Sequence, residues 1–253
     1  MAIIPSILNN SETWVQIDKS SIDILEELQT MMFRSILSTP KSTPTPMLYW
    51  DLGILKMKNR IIKEKLMFLY HLLNLPENSL AKEILNAQIK CKFPGLVEEC
   101  MPYIYDLSLT DITTQKIKQH AWKKEVKTAI KKLNEKEVKD DLQESKKGKE
   151  FCNEEYGTKD YFKTLNLFDA RTIFKKRSKM TQFIKMNFSS DEKYRKELWQ
   201  CDSCQSAIDT QSHVMWCSAY TELREDKNFN NDKDIAKYIQ EVLKIRSNLN
   251  IIK

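Results

Sequence analysis

Three of the chain's six cysteines and one of its three histidines fall within seventeen consecutive positions. Cys201, Cys204, His213 and Cys217 are spaced as C-x2-C-x8-H-x3-C. Two cysteines separated by two residues can grip one ion from a single tight turn. A His and a Cys four positions apart lie on one side of a helix, so they can complete a tetrahedron around that ion. Mixed thiolate and imidazole ligands suit zinc, and nearly all sites with four protein ligands are structural. The plainer reading, two buried free thiols and an unrelated histidine, leaves the clustering unexplained. Such a site organises a surface and does not itself catalyse, so it points toward recognition. Cys91, Cys100 and Cys152 lack partners at metal spacing and read as free thiols. His71 and His120 read as packing or surface histidines. No Ser-His-Asp or Cys-His hydrolase arrangement is visible.

The elements that must hold this cluster are helical. The 253 residues include only four glycines, against a fold with many tight β-turns and against Gly-rich phosphate loops. Leu, Ile, Lys and Glu dominate, as in helical proteins, and the apolar content is enough for a substantial core. No run of about 18 apolar residues marks a membrane span, and Met1 to Leu8 lacks the basic lead of a signal peptide. These features are expected of a protein in a reducing nuclear or cytoplasmic setting, where a C-x2-C is better suited to metal than to a disulfide. The net charge of +6 is unevenly spread. Residues 111–200 carry 23 Lys/Arg against 15 Asp/Glu, while the segments on either side are close to balance. A basic stripe beside a metal module is the electrostatic footprint of a nucleic-acid binder. The competing reading is a solvated Lys/Glu helix face.

Periodicity places the helices. Ile22, Leu25, Leu28, Met32 and Ile36 form one stripe over 20–38, with Ser20 as its N-cap. Pro40, Pro44 and Pro46 impose a loop. A largely buried helix is expected over 58–75 (Ile61, Ile62, Leu66, Leu69, Leu72, Leu73), ended by Pro76. Further helices are expected over 79–90 and from Leu96 to Tyr105. From Thr114 to Lys147 a Lys/Glu-rich run carries sparse apolar positions (Ile117, Trp122, Val126, Ile130, Leu133, Val138, Leu142). It reads as a surface helix or a bridge between modules, with 146–149 as the linker candidate. Tyr161 to Phe188 interleaves apolar residues with Arg171, Lys175, Lys176, Arg177, Lys179 and Lys185. A last amphipathic helix is expected over 234–247 (Ile235, Tyr238, Ile239, Val242, Leu243).

Four blocks of the chain resemble, in order, the C-terminal part of the reverse transcriptase of non-LTR (LINE-type) retrotransposons. They are Ile4-Pro5-Ser6-Ile7-Leu8 with Ser11-Glu12-Thr13-Trp14; Ser42 to Tyr49 with Leu52-Gly53-Ile54-Leu55; Leu167 to Arg171 with Lys179-Met180 and Asn187-Phe188; and the cysteine cluster with Asp209-Thr210-Gln211-Ser212-His213. The resemblance implies a mainly α chain: a thumb-like helical region over 1–95, a basic helical connector over 96–160, a basic block with a CCHC zinc knuckle over 161–225, and a C-terminal amphipathic helix over 226–253. It departs from the family where Asn9-Asn10 replaces a Tyr-Gly, and no paired-aspartate catalytic turn is present. Asp140-Asp141, the one adjacent acidic pair of that kind, lies in the Lys/Glu helix. The resemblance thus implies a non-enzymatic portion whose polymerase palm and endonuclease would lie upstream in a parent protein.

The resulting expectation is RNA or DNA binding with one structural zinc on Cys201, Cys204, His213 and Cys217. Arg171, Lys175, Lys176, Arg177, Lys179 and Lys185 would contact phosphate. Trp199 and Trp216, flanking the ligands, would stack on bases or pack over the metal. Arg34, Lys56, Lys58 and Arg60 are the candidate duplex contacts of the thumb-like region. The readings from other classes are a zinc-stabilised protein-interaction module, binding through the 234–247 helix or apolar thumb faces, and a decayed element fragment with exposed apolar surface.

Overall fold

The structure is a computed structural model that describes residues 8–145, 148–180 and 200–251. Its helices are α1 (Lys19–Leu37), α2 (Thr45–Leu52), α3 (Met57–Leu73), α4 (Leu80–Cys91), α5 (Leu96–Asp106), α6 (Gln119–Glu144), α7 (Tyr161–Thr164), α8 (Leu167–Arg177), α9 (Gln211–Trp216), α10 (Thr221–Glu225) and α11 (Asp232–Ile251). Among the described residues there is no β-strand, only an isolated antiparallel bridge between Gln200 and Ile208. Two compact units result. The first joins the described residues up to Phe33 to Leu48–Tyr156, and the second joins Arg34–Met47 to the described residues from Gly157 onward. The 146–147 part of the linker candidate, Ile4 to Ile7, Lys185, Asn187-Phe188 and Trp199 lie outside the described residues.

The helices expected from periodicity are present, with informative differences at their edges. Asp18 rather than Ser20 caps α1: its carboxylate accepts the Ser21 N–H at 3.3 Å and the Ser21 hydroxyl at 2.5 Å, and also bonds the Ser20 hydroxyl. Those hydroxyl hydrogen bonds hold the Asp18 carboxyl down at about 2. The buried line of α1 runs through Gln29, Phe33 and Leu37, one position on from the expected stripe. A polar residue hides this register, because Gln29 is fully buried and donates to the Tyr49 hydroxyl (3.2 Å) and the Leu55 carbonyl (3.0 Å). Helix α2 falls where prolines argued for a loop. Pro46 occupies its first turn, where a missing N–H is harmless. The first turn of α3 is capped from a distance: the Glu26 carboxylate accepts the Lys58 N–H (3.2 Å) and the Tyr49 hydroxyl (2.6 Å). Burial raises the Glu26 carboxyl above its ordinary range.

The core of the first unit lies between α3, α4, α5 and the first half of α6. Leu66, Leu69, Leu85, Cys100, Ile104, Trp122, Val126 and Ile130 are its most buried members. The Lys/Glu-rich α6 is neither isolated nor merely a surface helix. Trp122, Val126, Ile130, Asn134, Val138 and Leu142 are all fully buried. A strict four-residue repeat advances about 40° per step around a 3.6-residue helix, so this line winds around α6. Successive residues therefore meet different neighbours. Trp122 stacks on Tyr70, with ring centroids 6.2 Å apart, and donates its indole N–H to the Leu66 carbonyl at 3.3 Å. Asn134 uses its whole amide: Oδ1 accepts from Lys56 N (2.8 Å) and Asn59 Nδ2 (3.0 Å), while Nδ2 donates to the Ile54 carbonyl (3.1 Å) and the Tyr156 hydroxyl (2.7 Å). A buried amide so satisfied fixes the register of α6 against α3. At the far end Leu142 packs under Gly148, where an added Cβ would come within 2.8 Å of Leu142 Cδ2 and 2.9 Å of its carbonyl oxygen.

Glycine scarcity also shapes the helix ends. Ser38, Lys92, Ser108 and Lys179 all adopt the left-handed conformation, with φ of 50–54°, just past the last turn of a helix. In each case the next N–H reaches five residues back: Thr39 to Arg34 (3.0 Å), Phe93 to Gln88 (3.2 Å), Leu109 to Ile104 (2.8 Å) and Met180 to Lys175 (2.8 Å). These are Schellman closures made without glycine.

Two outcomes follow for unfolding experiments on the whole chain. Lys92→Gly and Ser108→Gly, both at exposed positions, should each raise stability by about 0.5–1 kcal/mol, because left-handed strain exceeds the extra chain entropy of glycine. Gly148→Ala should lower stability by about 1–3 kcal/mol through overpacking on Leu142. Urea midpoints read both, and the opposite sign in either would show that the local geometry is wrongly assigned.

Candidate metal centre

The second unit brings the four expected ligands together. Their ligand atoms, three Sγ and one imidazole nitrogen, all lie within 4.8 Å of one another. Cys201 Sγ and Cys217 Sγ are 3.8 Å apart, and Cys204 Sγ is 3.3 Å from His213 Nε2. A tetrahedral ion bonded to sulfur at about 2.3 Å spaces its ligand atoms about 3.8 Å apart, so the set has the right size for one ion. Cys201 and Cys217 are fully buried, and Cys204 and His213 are partly exposed.

Local backbone explains the gathering. After Cys201-Asp202-Ser203-Cys204 the chain reverses, with Gln205 in the left-handed region (φ 54°) and its N–H on the Cys201 carbonyl at 2.8 Å. The Cys201 N–H bonds the Ala207 carbonyl (2.9 Å), closing the turn. Thr210 then caps α9, its hydroxyl accepting the His213 N–H at 3.0 Å. This cap sets the first turn that carries His213. Cys217 terminates α9, and Arg224 donates to its carbonyl at 2.6 Å. Burial pushes the Cys217 thiol up to about 12. At Cys204 burial acts in the same direction, but hydrogen bonds from the Ser206 hydroxyl (3.1 Å) and backbone, and from the neighbouring thiols, bring it down to about 6.

A buried ion pair backs the cluster. Arg246 of α11 forks onto Asp209, with Nη1 to Oδ2 at 2.9 Å and Nη2 to Oδ1 at 2.8 Å. Its Nε donates to the Tyr220 hydroxyl (2.9 Å), and Nη2 also faces Cys201 Sγ at 3.4 Å. Burial opposes the Arg246 charge, but the bonds to Asp209 and Tyr220 outweigh it and raise its pKa. The apolar side of α11 (Ile235, Tyr238, Ile239, Val242) is buried. Tyr238 donates to the Val214 carbonyl of α9 at 2.6 Å, and Gln240 donates to Asp169 Oδ1 (2.8 Å) and Thr172 Oγ1 (3.2 Å) of α8. The α11 stripe that offered a partner surface is thus occupied within its own unit.

The remaining expected site residues divide. Trp216 is 70% exposed, with its ring stacked on Phe229 at 5.8 Å. In α8, Ala170, Ile173 and Phe174 are buried, and Arg171, Lys175, Lys176 and Arg177 are half-buried around them. Arg171 Nε donates to the Ile36 carbonyl at 2.5 Å, and Asp169 takes Asn166 and Gln240. Arg177 lies over the Tyr161 ring at 5.9 Å. Burial lowers the pKa of Lys175 and of Lys176, with Arg171 adding to the effect at Lys175 and Asp232 opposing it at Lys176. Lys179 is exposed at the Schellman turn. Among the proposed thumb contacts, Arg34 donates to Thr43 O (2.7 Å) and Thr45 Oγ1 (3.0 Å), and Lys56 pairs with Asp141 at 2.8 Å. Asp141 is therefore an ion-pair partner. Sequence reasoning missed Arg246, Tyr220 and Arg224, whose separations from the ligands carry no periodic or motif signal.

Comparison with protein-family models, curated proteins and solved structures finds no match to this chain. No described helix is long and apolar enough to cross a membrane.

Metal analysis tests the centre directly. Protein refolded with a divalent ion and desalted should retain about one ion per chain. Cys201→Ser or Cys217→Ser should abolish this retention, and lowering the pH should weaken it, since protons compete for thiolates and imidazole. Full occupancy in either variant would exclude the cluster as the site.

Proposed function

We propose that the chain binds RNA or DNA through its second unit, as the non-catalytic C-terminal portion of a non-LTR retrotransposon reverse transcriptase would. In this reading Cys201, Cys204, His213 and Cys217 hold one structural zinc, the ion suited to a closed Cys3His tetrahedron. The observation that carries the reading is a compact four-ligand cluster with a large exposed aromatic, Trp216, one residue from a ligand. A flat ring held at the rim of a small module is the kind of platform on which an unpaired base stacks. The cations of α8 and its Schellman turn, Lys175, Lys176, Arg177 and Lys179, supply phosphate contacts, and Arg171 contributes charge while anchored to Ile36. The chain does no chemistry of its own in this role; polymerisation belongs to upstream domains of a parent protein.

A protein-binding reading has one observation in its favour. Leu167 and Phe168 at the start of α8 are 51% and 63% exposed. It predicts binding that is insensitive to salt.

Fluorescence anisotropy of the zinc-loaded chain with single-stranded RNA, single-stranded DNA and duplex DNA separates the two. Micromolar or tighter binding should fall steeply between low and high salt. Trp216→Ala should weaken single-strand binding by about 1–3 kcal/mol. Lys175→Gln with Lys176→Gln should flatten the salt slope by about one for each phosphate that is no longer neutralised. No binding to any of the three polymers at low salt, from a folded zinc-loaded sample, would end the nucleic-acid reading.

A further inference from the structure

Arg246 lies 29 residues beyond the last ligand in the chain, yet its guanidinium reaches both halves of the ligand set. On one side Nη2 is 3.4 Å from Cys201 Sγ, the buried sulfur of the C-x2-C turn. On the other, its two terminal nitrogens clamp Asp209, the residue immediately before Thr210, whose hydroxyl starts the helix carrying His213. Tyr220, three residues beyond Cys217, takes the Nε–H. Arg246 and Asp209 are 6% and 1% exposed, so water supplies little of their solvation.

We infer that Arg246 is a positioning residue of the metal centre and that metal loading is coupled through it to the docking of α11. The inference rests on the metal reading of the cluster. The ion would need Cys201 and His213 at one point, and the Arg246 contacts to Cys201 and Asp209 span the two segments that carry those ligands. The guanidinium fork is rigid and planar. Holding Asp209 in two bonds while facing Cys201 therefore fixes the distance between the knuckle turn and the start of α9. The rest of α11 follows Arg246: Tyr238 bonds the Val214 carbonyl of α9, and Ile235, Ile239 and Val242 are buried with it. The ion would draw Cys201 of the knuckle turn and His213 of α9 to one point, so when it leaves, Cys201 and Asp209 are no longer held at the spacing the fork fits, and the Arg246 anchor of α11 is weakened. Terminal-helix docking and ion binding thus support each other reciprocally.

The test uses the full chain. Zinc affinity is measured by competition with a chelating chromophore for wild type, Arg246→Met and Arg246→Lys, and hydrogen exchange is followed in peptides from 232–248 with and without zinc. Arg246→Met should keep one zinc per chain but bind it about 10–100-fold more weakly, with Arg246→Lys in between. Stripping zinc from the wild type should speed exchange across 232–248 more than in peptides of α3 or α6. An Arg246→Met protein that loses thermal stability but keeps zinc affinity within about twofold would make Arg246 a structural pin only, overturning the inference. Unchanged exchange in 232–248 on zinc removal would also overturn it, and needs no variant to fold. A wild-type chain that binds no zinc would sink the metal reading itself and this coupling with it, an outcome distinct from both.

Discussion

Packing three sulfurs and an imidazole within a few ångströms is the constraint on which the second unit depends. Two of the sulfurs are shut off from water, so neither can carry charge unless something other than solvent stabilises it. For Cys201 that something is a cation, and other donors hold the frame around the cluster. Ser206 bonds the outer sulfur, Arg224 ties down the carbonyl that ends α9, and the Arg246 guanidinium lies behind the inner sulfur. These partners come from a turn, from the short α10 and from α11, and α9 and α10 are too short to hold a helical conformation alone. Their order is borrowed from the cluster and from the long α11 that covers it. A divalent ion in the middle would turn sulfur–sulfur repulsion into attraction, and the four ligand atoms lie close enough to hold one.

The first unit solves a different problem, that of burying a helix made largely of Lys and Glu. Its answer is a narrow line that winds around α6 instead of a broad apolar face. Trp122 meets the middle of α3, and Asn134 meets the loop before α3 and Tyr156. Leu142 meets the turn at Gly148. One side chain per turn suffices because each contacts a different neighbour. The charged residues between them stay solvated or pair locally, as Lys56 does with Asp141.

Much of this is legible in the sequence where a local rule governs. The ligand set follows from the spacing of four residue types, and α3, α4, α5 and α11 follow from apolar periodicity and from caps such as Ser79, whose side chain accepts the Lys82 N–H at 3.3 Å. What stayed hidden depends on partners distant in the chain. Gln29 looks like a solvent residue until Tyr49 and Leu55 are brought to it. Arg246 and Asp209 are 37 positions apart and look like any surface charges. Helix α2 was masked by prolines that a first turn tolerates, and the left-handed Ser38, Lys92, Ser108 and Lys179 replace glycines that would have announced helix ends.

The basic block of α8 shows how far charge counting carries. As a string, Arg171 to Lys179 is a uniform cationic patch. As a helix it is graded: Arg171 is bonded to a carbonyl, Arg177 leans on a ring, and Lys175 and Lys176 are half-buried with lowered pKa. A partly desolvated ammonium has already lost hydration that an exposed lysine would lose only on meeting an anion, and it faces that anion through a lower effective dielectric. Under the nucleic-acid reading, Lys175 and Lys176 would each be worth more per phosphate than the many exposed lysines of α6. Charge balance points the same way: α8 sets Arg171, Lys175, Lys176 and Arg177 against Asp169 alone, while the lysines of α6 are nearly matched by its acids. In that reading the few cations packed around Phe174 would fix where the backbone of the polymer runs.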